Sequence, residues 1–164
     1  MRKAPRRYAL TSQIPNEVAL RDRLQQVERE DKAVYLTLTR TATLTITTAG
    51  TIVTWQEEID SCGKITWSGS SITVPVAGYY HLSMKGAFEV KDSCTGDVVV
   101  NGVEVATMGT GDGKDAKFRL NCVRFYKKGD VVQVKLTMAS ASHTLQVNTE
   151  DLASESPILH MVLI

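Results

Sequence analysis

The run from Ile72 to Tyr80 reads ITVPVAGYY: an alternating strand, a proline, an Ala-Gly turn and the start of an aromatic strand. Period-two alternation places successive side chains on opposite faces of a pleated strand. A proline inside such a run confines it to an edge or a strand end. Similar short runs recur from Val34 to Ile164 with no helical segment between them, which excludes a parallel βαβ architecture. The direct expectation is an all-β fold, an antiparallel sandwich of roughly eight to ten strands.

The punctuation is local. Asn101-Gly102 between Asp97–Val100 and Val103–Met108 favours the positive φ of a tight hairpin. Gly50, Ala77-Gly78 and Lys127–Asp130 read as further turns, and 57–63, 92–96 and 109–114 as polar or glycine-rich loops. Strands are expected over 72–76, 79–90, 118–126, 131–138, 144–148 and 157–164.

The first residues differ in character. Residues 1–16 read as an extended arm, with Pro5 and Pro15 interrupting any helix and Arg2, Lys3, Arg6 and Arg7 unopposed by acid. Such an arm suits nucleic acid, an acidic protein surface or a solubilising terminus. The net charge of the whole chain is only +1, so it is no general polyanion binder. Residues 17–33 are rich in helix formers behind the capping residue Asn16. Leu20, Leu24, Val27 and Val34 lie on a 4-3 stripe that Asp31 interrupts. An isolated helix of this length is marginal in water, so the stripe needs cover, either from its own domain or from copies of itself. The expected organisation is an arm over 1–16, a short helix over 17–33 that is a possible trimeric coiled coil, and a head over 34–164. Neither a signal core nor a membrane span is expected.

No spacing for chemistry stands out. Gly109 to Lys114 fails the phosphate-loop pattern because Asp115 follows Lys114, and the segment lies between strands. Asp112 and Asp115 supply too few acids for a dedicated hard-cation site. Ser140, Ser142 and His143 define no triad, and Glu57, Glu58 and Asp60 share one loop rather than flanking a cleft. His81 and His160 read as structural or interface histidines. Trp55, Trp67 and Tyr126 are either core or exposed stacking residues. Cys62, Cys94 and Cys122 match no zinc spacing and read as free thiols. No enzymatic activity, cofactor or metal is expected.

Three segments in order carry a resemblance. TVPVAGYYHL (73–82), VVVNGVEV (98–105) and KKGDVVQVKL (127–136) resemble the strand-turn-strand signatures of the tumour necrosis factor and complement globular-head superfamily. The closing ILHMVLI resembles that superfamily's last core strand. The likeness spans the chain from Val34 onward. It implies a ten-strand jelly roll that assembles as a compact homotrimer with aromatic and aliphatic side chains along the three-fold axis. Tyr79, Tyr80, Val132, Val134, Leu159, Met161 and Leu163 are the candidates for core or axial faces. Tyr79 and Tyr80 must point to opposite faces, so one is core and the other interfacial or exposed.

A basic arm and a short helix ahead of such a head look like a bacteriophage virion protein made in the host cytoplasm. The expected role is a capsid decoration or cement protein, or a short head fibre, docked to capsid or tail proteins through residues 1–16. The alternative is a tail-fibre or soluble trimeric head binding a host receptor or surface glycan.

Overall fold

The computed structural model describes residues 33–112, 116–147 and 156–164. The chain divides into a unit over Met1–Ala33 and a unit over Val34–Ile164. The expected arm with Arg2, Lys3, Arg6 and Arg7, and the expected helix with Leu20, Leu24 and Val27, lie outside the described residues. Among the described residues no helix is long and apolar enough to cross a membrane.

The head is all-β. Its strands are β1 (Tyr35–Thr39), β2 (Leu44–Ile46), β3 (Thr51–Ile52), β4 (Glu57–Ser61), β5 (Thr66–Ser68), β6 (Ser71–Thr73), β7 (Gly78–Ala87), β8 (Ser93–Val100), β9 (Val103–Asp112), β10 (Lys117–Tyr126), β11 (Val131–Met138), β12 (His143–Leu145) and β13 (Ile158–Leu163). One sheet runs β10-β7-β13-β1-β4; a second runs β5-β6-β11-β8-β9, with β3 also on β11; β12 and β2 form a small third ladder. Every pairing is antiparallel.

Alternation builds the core. Leu36 and Leu38 on β1, Tyr80, Leu82 and Met84 on β7, Phe118 and Leu120 on β10, and Leu159 and Met161 on β13 are buried on one side. Val132, Val134, Leu136 and Met138 of β11, Val98 of β8 and Ile72 of β6 are buried on the other. Together they form one cluster. An added Cβ at Gly96 on β8 would run into Leu120 of β10, so the two sheets meet closely there. The Asn101-Gly102 hairpin has φ values of 52° and 83°, the primed-turn geometry.

Four sequence expectations need correction. Val34, placed on the helical stripe, is extended backbone ahead of β1 and buried in the head core; its carbonyl accepts from Leu163 N at 2.8 Å. Residues 57–61 are not loop but edge strand β4, because pairing with β1 uses backbone alone and tolerates an exposed, acidic run. Ile59 is the extra residue of a β-bulge, since Glu58 pairs Leu38 while Asp60 pairs Thr37. The loops expected over 92–96 and 109–112 are the ends of β8 and β9, whose glycines pair through the ladder Gly96↔Gly109 and Cys94↔Gly111.

Candidate functional site

The sheet β10-β7-β13-β1-β4 has one face in the core, and the residues of its other face line up in rows across the strands. One row is Phe125, Tyr79 and Ile164, fixed by the Phe125↔Tyr79 register and by Ile164 N donating to Tyr79 O at 2.9 Å. The next is Val123, His81, Val162 and Tyr35. The third is Asn121, Ser83, His160 and Thr37, and the fourth Arg119, Lys85, Ile158 and Thr39.

The first two rows are largely apolar yet open. Tyr79 is 58% exposed, Phe125 48%, Val123 56%, Val162 37% and Ile164 70%. The Tyr79 and Phe125 rings meet edge to face, with centroids 5.4 Å apart at 71°. The lower rows are mostly polar, and in the fourth Thr39 and Ile158 are buried. Thr37 Oγ1 lies 3.0 Å from His160 Nδ1, which fixes the imidazole on the sheet. Burial, with Lys85 and His81 nearby, pushes His160 below its ordinary value. An open hollow of about 510 Å³ lies over His81, Ser83, Lys85, Arg119, Asn121 and His160.

The expected face residues divide by this geometry. Tyr80 is fully buried, packs edge to face on Tyr126 at 5.9 Å, and donates to Val76 O at 2.9 Å. Tyr79 is on the open face. Val132, Val134, Leu159 and Met161 are core, so none of them reaches an axis outside the head. Leu163 is partly buried against the core. Among the residues left open on this face are Val162 and His160 on β13 and Val123 and Phe125 on β10. Sequence reading named His160 as a structural or interface histidine; on β13 it chose the buried half of the alternation over Val162, and it named no face residue on β10. The signal was present, since Val123 and Phe125 share a period of two with Arg119 and Asn121.

The other candidates are structural. Trp55 and Tyr126 are buried, so neither is an exposed stacking residue. Trp67 is half-buried, and its Nε1 donates to Glu58 Oε2 at 2.9 Å. Hydrogen bonds from Ser61 and Trp67 hold the Glu58 carboxyl below its usual range. The three cysteines are free, and burial pushes the Cys94 and Cys122 thiols up, away from the reactive thiolate.

Ser140 and His143 do meet an acid. Asp92 Oδ2 accepts from the Ser140 hydroxyl at 2.8 Å, and His143 Nε2 lies 3.2 Å from the same oxygen. A nucleophilic triad places histidine between serine and carboxylate. Here the carboxylate stands between them, and the cluster ties the β7–β8 loop to the segment entering β12. The Ser140 hydrogen bond is the main cause holding Asp92 below the usual carboxylate range. Among the described residues no group of histidine, cysteine and acid side chains is arranged to hold a metal ion.

Comparison with solved structures reports the same architecture. Murine APRIL superposes with a TM-score of 0.59 at 20% identity, covering 81% of this chain and 100% of that one. The globular domain of zebrafish complement 1qA superposes with a TM-score of 0.55 at 13% identity, covering 80% of this chain and 97% of that one. No family model and no curated protein matches the sequence. The fold is therefore the jelly roll of these globular heads.

Proposed function

We propose that this chain is the subunit of a non-enzymatic, homotrimeric virion structural protein, a capsid decoration or cement protein or a short head fibre, docked by residues 1–16. The observation that carries the trimer is the pair of open apolar rows around Tyr79, Phe125, Val123 and Val162 on a sheet whose other face is already core. Fully burying an exposed side chain of this size contributes about 1.5–3 kcal/mol, and these partly exposed side chains still have a good part of that to gain when covered. The occupants are two further copies of this chain, as the globular-head resemblance implies. The virion placement is supported by the sequence layout, a basic arm and a helix-forming stretch ahead of a jelly-roll head.

Light scattering of the full chain tests the assembly: a mass of three subunits is expected, and Phe125→Glu shifts it to one while circular dichroism stays all-β. A wild-type mass of one subunit overturns the trimer. Labelled protein viewed on intact particles by electron microscopy tests the location, and its absence from them overturns the virion role.

A further inference from the structure

The same face carries a charge pattern that the apolar rows do not use. Strand order puts β10 at one edge of the sheet and β4 at the other. The fourth row runs Glu57, Thr39, Ile158, Lys85, Arg119, so one level across the sheet ends in an acid on β4 and in a cation on β10. The third row likewise opens on Asp60, opposite Thr37, and closes on Asn121. Glu57, Asp60 and Arg119 are all exposed. Among the described residues no side-chain hydrogen bond or ion pair engages any of the three; their backbones are paired in the sheet.

We propose that the trimer closes by unlike edges, with Arg119 on β10 of one copy facing Glu57 and Asp60 on β4 of the next. This rests on the trimeric reading above and specifies its geometry. Rotation about an axis parallel to the strands, with no rise along it, keeps each row at its own level in every copy. The apolar rows then meet apolar rows, and the Arg119 end of the fourth row arrives at the height of the neighbour's Glu57 end. Pairing through like edges is two-fold and gives dimers rather than a ring; it sets Arg119 against Arg119, or Glu57 against Glu57, and like-charge juxtaposition at an interface is costly. Contact through unlike edges is heterologous, and a heterologous contact whose rotation closes makes a ring. The charges thus disfavour two-fold pairing and set the register between copies, while the apolar rows supply affinity.

The test is a charge exchange in the full-length chain, read as the concentration at half-dissociation by analytical ultracentrifugation. Arg119→Glu alone, and Glu57→Lys with Asp60→Lys alone, are each expected to raise that concentration by at least about tenfold. The variant carrying all three changes is expected to return to within about threefold of wild type, because every contact is again between opposite charges. Circular dichroism shows whether each variant is folded, and rescue by the combined variant cannot arise from a folding defect. Single-edge variants that dissociate like wild type overturn the proposal, as does a combined variant no tighter than the weaker single-edge one. A wild type that is monomeric throughout overturns the trimer itself, a separate outcome.

Discussion

Arg40 follows the last residue of β1, continues the inward series Leu36 and Leu38, and is only 2% exposed. Among the described residues no carboxylate meets its guanidinium. Instead Nε donates to Ala42 O at 3.1 Å, Nη2 to Thr43 O at 3.3 Å, and Nη1 to the carbonyl and hydroxyl of Thr54. Burial lowers its pKa, yet a guanidinium stays charged at any ordinary pH. The side chain pins the turn after β1 to the segment after β3. Arg40→Met keeps the length and strands three carbonyls, which is expected to cost about 2–4 kcal/mol. Urea denaturation should show a lower midpoint with an unchanged slope. The alternation at 35–40 was plain in the sequence, but it assigns a face and not a depth. A reader of the sequence sees Arg40 pointing inward and cannot see that three carbonyls wait for it.

Strands differ in how openly they declare themselves. The β8–β9 hairpin is written locally, because Asn101 and Gly102 tolerate φ values of 52° and 83° at little cost. Gly102→Val forces a β-branched residue into that conformation. A loss of about 1–3 kcal/mol in thermal unfolding is expected, with Gly102→Asn losing less. β11 was equally legible, since its buried positions alternate without a break from Val132 to Met138. β4 was not. Its residues Glu57 to Ser61 have no alternation because neither face is buried, and its hydrogen bonds go to the backbone of β1. Val34 misled for a different reason: a single apolar residue fits both a helical stripe and a strand entry, and only the pairing of Leu163 with its carbonyl decides. The open apolar face was half legible. The sequence separated Tyr79 from Tyr80 by parity, but which strands lie beside them depends on the order β10-β7-β13-β1, a long-range fact no local pattern contains.

At the scale of the whole molecule, pH offers a readout of the polar rows. His160 lies on the open face with Lys85 and His81 nearby, and both these neighbours and burial disfavour its charged form. Its folded pKa is therefore below the ordinary value of about 6.5. An unfolded chain takes up this proton first as the pH falls, so the unfolded state binds more protons in that window and stability falls with it. Above about pH 6.5 the contribution is fully present. Melting temperature measured from pH 7.5 down to pH 5.5 should decline, and His160→Gln should flatten that decline. An equal slope in the variant excludes His160 as the source. Asp92 and Glu58, whose carboxyls are held low by hydrogen bonds, lose their contributions only in the acid range below this window.

The bulge at Ile59 has a consequence of its own. A straight outer strand invites any stray strand to zip alongside it, which is how sheets grow into fibres. The extra residue kinks that margin, and Glu57, Glu58 and Asp60 surround it with negative charge. Lateral extension is thereby discouraged while the broad flank nearby stays sticky. In the trimer proposed above, by contrast, growth by rotation would end once the circle is complete.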